Sequence, residues 1–244
     1  TKVNTVEDSN GVMTVMIGQG TTLVAGITPL TVSVESGDPD PLQTQLRLVS
    51  PNSTVAMKGS TLGGALGGAF EFRDENLSQL RSEINRLAMA FSSTLNDSQA
   101  NGLDLNGQQG ADIFTDINTA QLQQSRVLTP TDNTGNLQAQ VNITDVSLLP
   151  TDEFEVRYNG TDYIMTNMTT NASTNLGAPG SGTYATPFGF EFIEASGAPA
   201  SDDSFLVRPT ENSAALMNVT LSNGEAIAAS SAVEISPSDN NISS

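Results

Sequence analysis

LGGAFEFRDENLSQLRSEINRLAMAFSSTLNDSQ, from Leu66 to Gln99, decides how the rest of the chain is read. Leu66, Phe70, Leu77, Leu80, Ile84, Leu87, Phe91 and Leu95 recur at spacings of three and four, interrupted only at Arg73, so an apolar stripe repeats close to every seven residues. So narrow a stripe predicts an amphipathic helix that offers a seam to another helix. Glu75, Gln79, Ser82, Arg86 and Ser93 occupy the opposite face, with Glu83 in reach of Arg86, and this is the side expected to face solvent. At 1.5 Å per residue the helix is roughly 50 Å long, beyond the usual globular length. Ser60 and Thr61 are placed to cap its start, and Gly102 suits the left-handed residue just past its end. Two readings of the seam stand side by side: the helix lies on a sheet of its own domain, or its partner helices lie outside this chain. The interaction residues assigned to it are Phe70, Leu77, Leu80, Ile84, Leu87, Phe91 and Leu95.

Composition narrows the function classes. With 27 acidic against 9 basic residues, the net charge of -18 argues against nucleic acid and anionic membrane surfaces, which need clustered Lys and Arg. Lys2 and Lys58 are the only lysines, and the seven arginines are scattered. Without Cys or His the chain has no disulfide framework, no thiolate nucleophile, no imidazole base and no soft metal ligand. No apolar run approaches the roughly 20 residues of a membrane span. The opening TKVNTVED is no secretory signal peptide, and with the polar ending SPSDNNISS it suggests a piece of a longer protein.

Around the helix the patterning is that of strands. VMTVMIG (Val12–Gly18), TTLVA (Thr21–Ala25), TVSVES (Thr31–Ser36) and LQTQLRLV (Leu42–Val49) alternate with a period near two, separated by Asn10-Gly11, Gly18-Gln19-Gly20 and the rigid turn Asp38-Pro39-Asp40-Pro41. They predict a small antiparallel sheet whose apolar face, Val12, Val15, Ile17, Leu23, Leu46 and Leu48, packs on the helix. After the helix, Ile113-Phe114 reads as an anchor returning the chain to the helix base. Strands resume from about Gln121: QAQVNI, EFEVRY, DYIMTNM, FGFEFIE, SFLVRPT and LMNVTL, with Asn159-Gly160 as a two-residue hairpin signal and a short helix at NGEAIAAS. Thr169–Pro187 reads as an exposed loop of low complexity. The fold class expected is α+β: a small antiparallel sheet with one long amphipathic helix (1–120), then a mostly β domain (121–244), either a sandwich or a partly open barrel. Aromatic content of 5% predicts cores built on Leu, Ile, Val and Met.

No motif carries chemistry. Asp104-Leu-Asn-Gly and Asp132-Asn-Thr-Gly lack the closing Glu of a calcium loop and read as turns. Asp38 with Asp40, and Asp202 with Asp203, read as solvated loop acids rather than a catalytic pair. Gly63-Gly64 and Gly67-Gly68 lack the Lys and Ser/Thr of a phosphate loop. The sequence therefore assigns no catalytic, cofactor-binding or metal-binding residue and no cofactor.

The stretch Phe70 to Thr115 nevertheless resembles the central segment of the bacterial flagellar hook-associated protein 1 family, the hook–filament junction proteins. The resemblance rests on the Phe72-Arg73-Asp74-Glu75 entry, Leu87-Ala88 and Phe91 in the seam, Asn96 near the helix end, and the Gly102 to Gly107 exit followed by Phe114. TDEFEVRYNGTDYIMT and DSFLVRPTENSAALMNVTL with EAIAAS support it further along. It implies an extracellular axial structural protein, exported unfolded, without enzymatic activity. Its implied partners are other copies of itself, the flagellar hook protein, hook-associated protein 3, and an export chaperone before assembly. Nucleic acid and membrane are not among them. The terminal helical segments that bundle in the family are missing from this sequence, which would leave the seam unpaired. The alternative from another class is an extracellular binding module, an adhesin or filament-cap-like surface protein, yet three Tyr and no Trp are little to line a binding site.

Overall fold

The computed structural model describes residues 3–18, 20–50 and 53–231. The polar C-terminal stretch and Gln19 lie outside the described residues. The chain divides into two compact units: the described residues up to Arg81 with Leu128–Asn133 and Ser204–Leu206, and Ser82–Val127 with Thr134–Asp203 and the described residues from Val207. The division falls inside the long helix, whose two ends pack on different parts of the chain. The architecture is the α+β arrangement expected: small antiparallel sheets, one long helix, then a mostly β region of open sheets.

In the first unit there are two small sheets instead of one. Val3–Glu7, Met13–Ile17, Thr21–Ala25 and Thr28–Pro29 form a four-stranded meander, and Thr31–Ser36, Thr44–Ser50 and Ser53–Met57 a three-stranded one. Gly18 takes φ +60°, and a side chain there would strike the Thr61 carbonyl, so the turn and the helix entry are built against each other. The core of this unit is small: Ile17, Leu46 and Leu62, with Leu23, Met57 and Phe70 packed around them. Val12, expected on the buried face, is exposed. Phe70 is the helix residue that reaches this core, its ring lying over Gly59, where any Cβ would collide with it.

The helix runs from Gly64 to Ala100 in three pieces: α Gly64–Glu71, a π turn Phe72–Leu77, and α Ser78–Ala100. The π turn sits where Arg73 breaks the apolar stripe. Arg73 turns toward the sheet instead, donating from Nη1 to the Thr44 carbonyl at 2.6 Å with its guanidinium 4.7 Å from the Phe70 ring centre. Neither end is capped as expected. Ser60 and Thr61 belong to a 3-10 turn, Gly59–Leu62, and the N-cap is Gly63, which has no side chain to offer. Gly102 pairs as a short strand with Ser231, and its φ is not positive.

The second unit is built on two facing sheets. Phe190–Ser196 lies between Gln138–Ile143 and Thr183–Ala185, while Phe154–Tyr158, Tyr163–Asn167 and Ser173–Gly177 form an antiparallel meander. Alternate residues point inward: Phe154 and Val156, Tyr163 and Met165, Phe190 and Phe192, Val141 and Ile143 are all buried. The core is therefore aromatic, contrary to what composition predicts, because the few rings are concentrated here. Phe154 packs on Phe188 and Phe190 at 4.9 and 5.3 Å, and Tyr163 packs on Tyr184 and Phe192 at 5.2 and 5.4 Å.

Other differences are local. The supposed low-complexity loop contains two strands, Ser173–Gly177 and Thr183–Ala185, since Thr, Asn and Ser suffice for an edge position. The Asn159-Gly160 hairpin has four loop residues, not two, because the Asn159 side chain accepts from the Thr161 and Asp162 amides and widens the turn. LMNVTL contributes only a bridge from Val219 to Phe114, and a helix at Ala120–Ser125 was not anticipated. Two of the loop acids have specific partners. Asp203 is buried and accepts from the Thr134, Gly135 and Ala200 amides, and Asp38 holds the Thr131 amide and hydroxyl.

Glu194 ties this unit together. Its carboxylate accepts from Tyr163 Oη at 2.8 Å, Tyr184 Oη at 3.0 Å and the Gly180 amide at 2.9 Å. Burial alone pushes its pKa up, but the Gly180 amide and the two hydroxyls outweigh that and hold it below the ordinary 4.5. A folded-state pKa below the unfolded one gives stability that is complete above about 4.5 and is lost as pH falls through the lower folded value. Glu194→Gln is therefore expected to remove part of the acid-side slope in a stability–pH profile measured by urea unfolding; an unchanged slope below the ordinary carboxylate range contradicts this.

Candidate interaction surface

From Ser82 onward the helix belongs to the second unit, and its buried face there is polar. Met89, Ser92, Asn96 and Gln99 are buried, with Asn85 half-buried a turn before, spaced three and four apart. Each polar member has a specific task. Asn85 Oδ1 accepts from the Ala214 amide at 3.0 Å, and Gln99 Nε2 donates to the Ala226 carbonyl at 2.7 Å. Asn96 does most: Oδ1 accepts from the Ile113 and Phe114 amides, both at 3.0 Å, and Nδ2 donates to the Phe114 carbonyl at 2.9 Å. Phe114 then packs on Phe91 with ring centres 5.4 Å apart and planes tilted by 58°. The Ile113-Phe114 anchor expected from sequence is real, but a side-chain amide holds it.

The buried stripe is one that the sequence reading assigned to neither face. Glu75 and Gln79 are exposed as expected, Ser82, Arg86 and Ser93 are half-buried, and the apolar seam faces out, as it would with partner helices outside this chain. In the second unit Ile84, Leu87 and Phe91 are 52, 71 and 51% exposed, and Leu95 is partly covered. Within the first unit Leu77 and Leu80 are exposed, and Phe70, the remaining assigned residue, is partly buried in the small core.

Beside the outward seam of the second unit runs an open groove of about 960 Å³. The helix forms one wall through Ile84, Leu87 and Ala90; Ile117 and Val146 line the other, which Ile143 of the β core also borders. That second wall is fixed from beneath. Asn118 brackets Ile143, accepting its amide at 2.8 Å and donating to its carbonyl at 2.8 Å. Arg126, fully buried, donates to the Ile117 carbonyl at 2.5 Å, the Val141 carbonyl at 3.2 Å and Asn118 Oδ1 at 3.3 Å. Burial lowers its pKa to about 10, with the nearby charge of Asp116 opposing the shift, so it stays charged at neutral pH. Nothing in the sequence singles out Arg126 or Asn118, because their partners are backbone groups brought near by the fold.

Comparison with known proteins agrees with this geometry. The model of the "Flagellar hook-associated protein FlgK helical domain" matches residues 1–114, and that of the "Flagellar hook-associated protein 1, D2-like domain" matches residues 128–209. The chain belongs to the flagellar hook-associated protein 1 family. Flagellar hook-associated protein 1 of Escherichia coli is 26% identical over 94% of this chain and 41% of its own length; that of Salmonella typhimurium is 27% identical over 93% and 40%. The flagellar hook junction protein FlgK of Burkholderia pseudomallei has a similar structure, with a TM-score of 0.80 and 27% identity over 94% of this chain and 42% of that one. The chain thus spans about two fifths of the length of the curated relatives it matches. No helix among the described residues is long and apolar enough to cross a membrane.

The two faces of the helix predict opposite responses to substitution. Asn96→Leu, nominally a gain in apolarity, strands three backbone groups and is expected to cost about 2–3 kcal/mol. Leu87→Glu, on the exposed face, is expected to change the stability of the 244-residue chain by less than about 0.5 kcal/mol. Urea unfolding of both variants checks the pair; the reverse order of sensitivity contradicts the assignment of faces.

Proposed function

We propose that this chain is the central part of a hook-associated protein 1 and acts as a structural adaptor at the junction between hook and filament of the bacterial flagellum, outside the cell. The observation that carries the reading is the outward apolar seam on a helix whose polar face is already engaged, in a chain similar to junction proteins over 94% of its length. Burial of each exposed Leu or Phe is worth roughly 1.5 to 3 kcal/mol, so such a seam favours association with a further helix. Its outward residues are Leu77, Leu80, Ile84, Leu87, Phe91 and Leu95, Phe70 being engaged in the first unit's core, and the occupants are helical segments of the intact protein. The partners in assembly are other copies, the hook protein and hook-associated protein 3, with an export chaperone before assembly. The role is structural rather than enzymatic, without cofactor or metal. The domains of the intact protein divide near residue 120, a boundary supported by the spans of the two family models. An adhesin is less well supported, since Tyr163 and Tyr184 are buried in the β core rather than available to a ligand.

The test places Leu80→Glu and Leu87→Glu together in the full-length protein. Loss of junction assembly, with filaments no longer retained on hooks, is expected while the 244-residue chain carrying the same changes keeps its circular dichroism and urea midpoint. Normal filament retention by the double variant overturns the seam's role.

A further inference from the structure

The groove beside the seam carries a second kind of information, its charge. Five carboxylates line it, those of Glu83, Asp97, Asp112, Asp116 and Asp145, against one guanidinium, Arg86. Arg86 is already paired with Glu83 at 2.9 Å, which leaves acidic side chains beside the apolar Ile84, Leu87, Ile117 and Val146. Asp97 lies on the helix wall, and Asp112 and Asp116 on the opposite one.

We propose that this groove selects a basic amphipathic helix, one whose apolar stripe lies on Ile84, Leu87 and Ile117 and whose flanking Lys or Arg side chains meet Asp97, Asp112 and Asp116. The proposal rests on the seam being a helix-docking face and adds the chemistry of what docks there. Three observations support it. Partial desolvation, followed by the nearby charges of Asp116 and Asp97, pushes the carboxyl of the surface-exposed Asp112 above its ordinary value, so these three rim acids repel one another and a cation would relax that repulsion. A second copy of this chain is a poor occupant, since its own net charge is -18 and its nine basic residues are scattered. More than half the length of the relatives lies outside the matched region and is available to supply such a helix.

The experiment uses the 244-residue chain and three fluorescent helical peptides of about three heptads. All share one Leu stripe and differ only in their flanking positions, which carry Lys and Arg, Gln, or Glu. Fluorescence anisotropy is expected to show the basic peptide binding about ten-fold more tightly than the Gln peptide, with the Glu peptide weakest and the differences shrinking as salt rises. In the chain with Asp97→Asn, Asp112→Asn and Asp116→Asn, the preference should vanish while affinity for the Gln peptide is retained. Leu87→Glu should weaken all three peptides. Should the triple variant fail to fold, the salt dependence and peptide ranking on the unmodified chain decide the matter. Equal affinity for basic and Gln peptides, or a preference that survives the triple substitution, overturns the charge selection while leaving the seam as a docking face. Failure of every peptide to bind overturns the docking face and the charge selection together.

Discussion

The side chain of Asn96 is the constraint on which the second unit's surface depends. Its amide satisfies three backbone groups of Ile113 and Phe114 at 2.9 to 3.0 Å, and only one rotation of the helix about its axis lets it do so. Asn85, about three turns earlier, and Gln99, about one turn later, make the same demand. Rolling the helix to bury Leu87 and Phe91 would gain roughly 1.5 to 3 kcal/mol per residue. It would also strand five hydrogen-bonding groups of the loops it now supports, at about 1–3 kcal/mol for each one left buried. The loss, about 5–15 kcal/mol over five groups, exceeds the gain of about 3–6 kcal/mol over two side chains. Direction acts the same way: hydrogen bonds specify one rotation, whereas apolar contact accepts many.

Much of this was legible in the primary structure, and what was missed shares a cause. Helix existence followed from the heptad spacing of Leu77 to Leu95, and strand positions such as Thr21–Ala25 and Gln138–Ile143 from alternation. Periodicity reports which residues share a face, and here that information was correct. It does not report which face turns inward. The usual inference, apolar inside, failed at Ser82 and along the buried stripe from Asn85 to Gln99. The competing signal was present in the side-chain amides of Asn85, Asn96 and Gln99, which are poor helix formers or costly to bury unless each has a partner. Composition misled in a similar way. A 5% aromatic content says nothing about clustering, and Phe154, Tyr163, Tyr184, Phe190 and Phe192 collect in one core.

The interruption at Arg73 was also visible without being interpretable. A charged residue in an apolar stripe is usually a local fault in amphipathicity. Here the helix accommodates it with a π turn, and the guanidinium reaches the Thr44 carbonyl and the Phe70 ring. Of the glycines before it, Gly59 makes room for the Phe70 ring, and Gly63 takes a positive φ as the N-cap. Both features belong to the first unit's small core, where three buried residues, Ile17, Leu46 and Leu62, have little area to spare. With so few apolar contacts, polar links such as that of Arg73 carry an unusually large share of the attachment.

Groove rigidity follows from the same division of labour. Arg126 is a poor choice for stability on desolvation grounds, since a buried guanidinium is costly and its Nε has no partner among the described residues. Its return is geometric: one planar group fixes the carbonyls of Ile117 and Val141 and orients Asn118, which in turn grips both backbone groups of Ile143. The wall facing the helix is thereby set by hydrogen bonds to backbone, independently of whatever lies in the groove. On the helix side, Asn85, Asn96 and Gln99 impose the same independence. Two walls held from behind by polar contacts leave their apolar side chains facing the groove without having to hold the fold together, and that is the condition under which an exposed seam can bind a partner helix without first rearranging.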